Sequence, residues 1–205
     1  MKLNFMSKKV GYIFGGVLVL ILIFGFFYVK RAKQLPSVAE FPLVASDSIG
    51  SWDFKGSHND NGVLENKVRD DISRLTKLLG SKTYTDYELY ISLASEYELL
   101  GDGRHTYEFL NRALAIDSVK TGIAWHNMGK LMTRLGALNT ARVAFQNAVK
   151  AESGIVQFHI AYLDFLLEHF PSDRNAILKA IESAGKDGGL APASLTRYQD
   201  FSQQK

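Results

Sequence analysis

The residues of this chain that could support catalysis or metal binding are scattered and form no recognised motif. Ser183 and Lys186 have the spacing of a penicillin-binding nucleophile, but the S-D-N and K-T-G motifs that accompany it are absent. There is no GxSxG, Walker or GxGxxG sequence, and no histidine pair at a helical spacing that would hold zinc. His105, His126, His159 and His169, four of the five histidines, are scattered along the chain. We therefore expect no enzymatic activity, no catalytic residue, no metal and no other cofactor.

The composition excludes several further kinds of site. The chain has 205 residues, no cysteine and a formal net charge of +3. Without cysteine there is no disulfide framework, thiolate zinc site, iron–sulfur cluster or cysteine nucleophile. The length allows one domain, or at most two small ones, with appendages.

An uncharged apolar segment covers residues 10–29 and predicts a transmembrane helix. Twenty helical residues span roughly 30 Å, the thickness of the hydrocarbon layer. A cleaved signal peptide is the alternative, but its apolar core is shorter and ends at a small-x-small cleavage site. Here residues 1–9 form a short basic tail, and Lys30, Arg31 and Lys33 follow the segment. The sequence therefore predicts a single-pass anchor in the cell membrane.

The positive charges on the two sides of this segment are equal in number, so they leave the orientation open. The N-terminal amine and the short tail favour a cytoplasmic N-terminus, and we expect the large domain to be extracytoplasmic. Gly11 and Gly15 form a GxxxG pair, which can bring two membrane helices together in a homodimer, although glycine is common in such helices anyway.

The basic character of the chain belongs to the flanks of this segment. Residues 34–205 contain 18 of the 24 basic residues and all 21 acidic ones, which gives them a charge of about −3. We therefore expect no binding to nucleic acid.

Residues 30–62 read as a linker, because proline and glycine interrupt any helical or alternating period. Trp52 and Phe54 are unusual in such a segment. We expect them to pack onto the helices that follow; contact with the membrane surface or with a partner are the alternatives.

From Val63 onward the apolar residues recur at helical spacing and the sequence predicts an all-α domain over residues 63–205. Aligning the chain with itself at an offset of 35 residues reveals an internal repeat. The aligned residues suit two closely packed antiparallel helices, with aromatic, small and turn-forming residues at fixed positions. The aligned pairs are Tyr90 with Trp125, Gly101 with Gly136, Leu110 with Phe145, and Ala113 with Ala148.

This pattern resembles the tetratricopeptide repeat (TPR). The unit at about 122–155 matches best, with Trp125, Met128, Gly129, Met132, Gly136, Ala141, Phe145 and Ala148 at the signature positions. A second unit covers about 87–121, and a degenerate third covers 156–184, where Pro171 replaces the turn glycine. The resemblance implies an antiparallel helix-pair solenoid. Helices at 63–79 and 191–202 would cap its two ends.

Proteins of this family bind peptides or partner helices in a groove lined by the first helix of each repeat. Carried onto this sequence, the groove positions are Glu88, Ser92, Ser95, Glu98, His126, Asn127, Lys130 and Arg134. They are mixed in charge and lack the family's carboxylate-binding pattern. The alternative interpretation is that they are solvated polar faces.

The sequence as a whole suggests a membrane-anchored scaffold or adaptor that binds a protein partner in a cell-envelope complex. A chaperone-like client binder at the translocation site is the alternative. A third possibility is a structural subunit whose groove is filled by its own linker, through Trp52 and Phe54.

Overall fold

A computed structural model of the chain describes residues 40–59 and 61–203. These residues contain eight helices and one isolated β-bridge but no strand, so the all-α prediction is confirmed for them. The helices are α1 (Val63–Leu78), α2 (Asp86–Leu100), α3 (Gly103–Ile116), α4 (Gly122–Arg134), α5 (Leu138–Ala151), α6 (Val156–His169), α7 (Arg174–Lys186) and α8 (Pro192–Gln203).

The anchor predicted at residues 10–29, the basic tail before it and the Gly11/Gly15 contact lie outside the described residues. Within the described ranges, no helix is both long and apolar enough to cross a membrane.

Each helix packs against the next one along the chain, and short connections make neighbours antiparallel. The closest pairs are α2 with α3 and α4 with α5. Both pairs turn at a glycine in the left-handed region, Gly101 at φ 81° and Gly136 at φ 78°. In both turns the next residue's N–H closes the helix, Asp102 N to Tyr97 O at 3.0 Å and Ala137 N to Met132 O at 2.9 Å. The 35-residue repeat in the sequence is therefore also a repeat of backbone geometry.

Small residues allow the two helices of the second pair to approach closely. A Cβ at Gly129 would lie 2.8–2.9 Å from the ring of Phe145, which leaves room for hydrogen alone at this position. Ala141, Ala144 and Ala148 of α5 are fully buried. The large-against-small pairing that the sequence predicts is thus the core of this helix pair.

The third pair, α6 and α7, repeats the arrangement of the second pair, but its two helices are offset from α4 and α5 by different numbers of residues. On α6, His159, Tyr162 and Leu166 are buried where α4 buries Trp125, Met128 and Met132, at an offset of 34 residues. The turn that contains Pro171 is longer, and α7 therefore follows α5 at an offset of 36.

Helix α1 packs against α2 at one end of these three pairs, and α8 packs against α7 at the other end. Val68, Leu75 and Leu79 of the first cap are buried, whereas Val63 and Leu64, which share the predicted apolar stripe, are 84% and 50% exposed. The stripe therefore becomes buried only from the second turn of α1 onward.

Candidate partner-binding site

Residues 40–58, which we call the strap, lie against the helices over much of their length. The strap pairs with the turn between α2 and α3 through three backbone hydrogen bonds. These are Gly103 N to Trp52 O at 2.9 Å, Phe54 N to Gly101 O at 3.0 Å and His58 N to Leu99 O at 2.9 Å. This part of the predicted linker is thus fixed to the domain by ordered main-chain contacts.

Three glycines make this close approach possible. A Cβ at Gly56, Gly101 or Gly103 would overlap backbone atoms of the facing segment. Gly136, the repeat equivalent of Gly101, has no such neighbour within 4 Å. The strap therefore docks on the turn of the first helix pair, whereas the equivalent turn of the second pair has no such contact.

The aromatic residues of the strap pack as the sequence predicts. The Trp52 ring lies 5.0 Å from the ring of Tyr107 and beneath the guanidinium of Arg104, at 5.1 Å. The Phe54 ring lies beneath the guanidinium of Arg134, at 4.9 Å. Trp52 thus combines an aromatic contact with a cation–π interaction, and Phe54 makes a cation–π interaction with α4.

The beginning of the strap is held at Phe41 by both of its backbone polar groups. Phe41 N donates to Asn111 Oδ1 at 2.6 Å, and the Tyr107 hydroxyl donates to Phe41 O. The Phe41 ring meets Trp125 edge-on at 4.9 Å. Residues of α3 and α4 therefore form a specific seat for one residue of an extended chain.

Asp47 of the strap caps the N-terminus of α5. Its Oδ2 accepts from Thr140 N at 2.6 Å and from the Thr140 hydroxyl, and its Oδ1 accepts from Asn139 Nδ2. The N-cap residue of α5 is Ala137, which has no side-chain acceptor, whereas Asp102 and Asp173 cap α3 and α7. A residue far away in sequence thus completes the second repeat.

Burial raises the pKa of the Asp47 carboxyl, but the hydrogen bonds from Asn139 and Thr140 outweigh burial and hold that pKa below its ordinary value. The charged form is therefore the one that the folded protein favours.

A cavity of about 620 Å³ lies between α2 and α4 and is completed by the strap. We call it the α2–α4 cavity. Four of the predicted groove residues line it, together with Leu99 and the strap residues Lys55, Gly56 and Ser57. The four are Ser95, Glu98, Lys130 and Arg134. The structure thus brings these four together, and it adds strap residues that the sequence analysis did not single out, although a groove filled by the linker was one of its alternatives.

The charges in this cavity are uneven. Glu98 Oε1 lies 3.5 Å from Arg134 Nη2 and 3.9 Å from Lys130 Nζ, and Lys55 adds a third cation to the lining. The two basic side chains on α4 are about half exposed, and the Glu98 side chain is mostly covered. Because one carboxylate faces three cations, the cavity can accept a further negative group.

The structure gives Glu88 and Ser92 local roles within α2. The Glu88 carboxylate accepts from Thr85 N at 2.9 Å, and Thr85 accepts from Glu88 N in return. This is a capping box, and its hydrogen bonds lower the pKa of Glu88. The hydroxyl of Ser92 donates to Glu88 O. Both residues lie away from the lining of the α2–α4 cavity.

His126 and Asn127 also lie apart from this cavity. The His126 ring stacks on Phe158 at 5.2 Å and meets Phe145 at 5.8 Å. Its Nδ1 is buried, with no hydrogen-bond partner among the described residues. Burial, and secondarily the charge of Lys130, lowers the pKa of His126. Asn127 is half-buried on the same helix.

Within the described part of the chain, no group of three or more His, Cys, Asp or Glu side chains is placed to hold a metal ion. Comparison with protein-family models, with curated proteins and with solved structures finds no match to the chain.

Proposed function

We propose that this protein is a membrane-anchored, TPR-like scaffold or adaptor that binds a protein partner in the α2–α4 cavity and has no catalytic role. The observation that carries the proposal is the convergence of Ser95, Glu98, Lys130 and Arg134 from two successive repeats on one cavity. These four are among the eight groove positions that the family resemblance implies.

The repetition of local contacts supports the comparison with TPR proteins. The Gly101 and Gly136 turns share their backbone bonds, and Gly129 meets Phe145 where the family pattern has a small residue facing an aromatic. Such repeats commonly act through surfaces made jointly by neighbouring units.

Membrane attachment through residues 10–29 would give the cavity its biological setting. Confinement at a membrane raises the effective concentration of a partner in the same membrane, so that a weak contact suffices. We propose an envelope assembly as the setting, with the helical domain on the extracytoplasmic side.

The first experiment is site-specific photocrosslinking from position 130 of the full-length protein in its own cells. A groove binder gives one or a few defined crosslinked products, and Arg134→Glu removes them. Lys77→Glu makes the same charge change on the exposed face of α1 and leaves the products unchanged.

The pattern of products also distinguishes the alternatives. A broad smear of products would favour a chaperone-like client binder over a scaffold. Products that persist in the Arg134→Glu variant would contradict binding in the α2–α4 cavity.

Protease accessibility of residues 40–203 in intact cells with the outer barrier opened tests the orientation: a domain that resists digestion until the inner membrane is broken would contradict an extracytoplasmic location.

A further inference from the structure

The seat of the strap has an open equivalent one repeat further along the chain. The strap seat lies between α3 and α5, with Trp125 of α4 at its floor. Between α5 and α7, with His159 of α6 among its lining residues, is a second cavity of about 530 Å³. We call it the α5–α7 groove. The strap does not enter it.

The floors of the two sites are held in the same way. Trp125 Nε1 donates to Ser118 O at 2.8 Å, and His159 Nε2 lies 2.7 Å from Ser153 O. A carbonyl oxygen only accepts, so this nitrogen of His159 carries the proton. Ser118 and Ser153 are 35 residues apart, and Trp125 and His159 are 34 apart. The α5–α7 groove is therefore a structural repeat of the strap seat.

The two side chains that hold the backbone of Phe41 have chemical equivalents in the α5–α7 groove. Tyr107 supplies the donor and Asn111 the acceptor in the strap seat. At an offset of 35, Arg142 has donors only, and Gln146 has an amide oxygen that can accept. Both equivalents line the α5–α7 groove.

The equivalent side chains are buried in the strap seat and more exposed in the α5–α7 groove. This difference is expected if the first site is occupied and the second is open. Tyr107 and Asn111 are each 3% exposed beneath the strap. Gln146 is exposed and Arg142 is half-buried. Arg142 is held by Asp173 at 2.7 Å, and Gln146 Nε2 donates to the Tyr162 hydroxyl at 2.7 Å. These contacts fix both side chains at the wall of the groove.

The charges of the groove match those of the strap. The part of the strap that occupies its own seat carries Glu40 and Asp47 and no basic residue. The α5–α7 groove has three basic and two acidic lining residues, and Lys150 and Lys179 are exposed at its edges. A bound segment that resembles the strap would therefore place its carboxylates beside these lysines.

We propose that the α5–α7 groove binds an extended, acidic peptide segment of a partner protein, seated by one aromatic or aliphatic residue, in the manner in which the strap binds between α3 and α5. Gln146 accepts a backbone N–H of the segment and Arg142 donates to a backbone carbonyl. Lys150 and Lys179 select acidic segments. This site shares no lining residue with the α2–α4 cavity, and the proposal stands independently of the function given above.

The test uses the strap sequence itself as the probe. A fluorescent peptide of residues 40–50 is titrated against the full-length protein, and binding is followed by anisotropy. We expect saturable binding that weakens at least tenfold in the double variant Lys150→Glu/Lys179→Glu and several-fold in Gln146→Ala. The double variant Lys67→Glu/Lys77→Glu makes the same charge change at exposed positions of α1, outside the groove, and leaves the binding unchanged.

Charge and location are each tested by one further titration. A probe with Glu40→Lys and Asp47→Lys binds at least tenfold more weakly if the groove selects acidic segments; equal binding overturns that selection. Asn111→Ala loosens the strap in its own seat. If the probe binds more tightly to this variant, and binds Gln146→Ala as tightly as the wild type, the peptide lies in the strap seat. That outcome would overturn the proposal.

Two other outcomes also contradict the proposal. Absence of binding up to the solubility limit of the peptide, with all variants folded by circular dichroism, excludes the groove as a seat for segments of this type. Self-association of the full-length protein that Gln146→Ala abolishes, measured by sedimentation, would assign the groove to a second copy of the chain in place of a partner.

Discussion

Some side chains of this domain pack between two repeats. His126 is one of them, and its position has a free-energy cost. Its ring fills space between Phe145 and Phe158, which belong to two different helix pairs. The ring contributes packing, but its buried Nδ1 has no partner among the described residues. A buried unsatisfied polar atom costs on the order of 1–3 kcal/mol. The His126 ring therefore packs well between two repeats, but its buried Nδ1 lowers the stability of the fold.

We expect His126→Phe to stabilise the protein, or leave its stability unchanged, at pH 7.5 and to reduce the loss of stability on acidification. Because burial lowers the pKa of His126 in the folded state, the unfolded chain binds the proton more readily. The free energy of unfolding therefore falls as the pH drops below about 6.5, the ordinary value for histidine. Urea denaturation of the full-length protein at pH 7.5 and pH 5.5 measures both effects.

Phe158→Leu is the control for packing in this experiment, because it disturbs the same cluster and keeps the imidazole. It should lower the stability at both pH values and retain the pH dependence of the wild type. A pH dependence in His126→Phe equal to that of the wild type would show that another group is responsible.

Among the elements, the turns of the first two helix pairs allow the contribution of strap docking to be isolated. Gly101 and Gly136 have nearly the same left-handed φ, but only Gly101 faces the strap. We expect Gly136→Ala to cost roughly 1–2 kcal/mol of backbone strain. Gly101→Ala should cost about 1–3 kcal/mol more, because the added Cβ overlaps the strap backbone.

Trypsin cleavage after Lys55 provides a second measurement for this pair. Cleavage should accelerate in Gly101→Ala and stay at the wild-type rate in Gly136→Ala. Equal destabilisation of the two variants, with unchanged cleavage, would contradict a strap that is held at the turn.

The N-terminus of α5 shows a similar dependence on the strap. We expect Asp47→Ala to lower the stability by about 1–2 kcal/mol, since a charged cap is lost. The folded state holds the pKa of Asp47 below its ordinary value, so the contribution is present above about pH 4 and disappears as the pH falls through the folded pKa. The difference between wild type and variant in urea denaturation should therefore shrink at low pH.

Asp53→Ala removes another carboxylate of the same strap that makes none of the capping bonds. Its effect on the exchange of the Asn139 and Thr140 amides with solvent should be small, whereas Asp47→Ala should accelerate that exchange. Equal exchange in the two variants would argue against the cap.

For the molecule as a whole, the sequence predicts the parts that repeat and misses those that occur once. The turn glycines, the buried alanines and Phe145 recur at fixed spacing because each helix pair solves the same packing problem. The strap residues Phe41 and Asp47 belong to no repeat unit, and each of their contacts joins residues more than sixty positions apart. The one visible signal was the presence of Trp52 and Phe54 in a polar segment.

Four of the predicted groove positions converge on one cavity for the same reason, since the repeat fixes which face each helix presents. Glu88 and His126 do not, because local needs at those places take precedence: a helix start needs a cap, and a gap between aromatic rings needs filling. A repeat pattern predicts on which face of its helix a residue lies. It does not predict which other side chains pack against that residue.

The strap contacts described above join the first two helix pairs and do not involve the third. In this sense the strap is a brace across two repeats. Repeat stacks are held by neighbour interactions, so a brace across two units should raise their stability locally. We expect replacement of residues 40–58 by a Gly/Ser segment of equal length to accelerate amide exchange in α2 to α5 much more than in α6 to α8. Exchange measured by mass spectrometry on the full-length protein resolves the two regions. A uniform acceleration over all helices would mean that the stack unfolds as one cooperative unit, whereas no acceleration would mean that the strap rests on the helices without stabilising them.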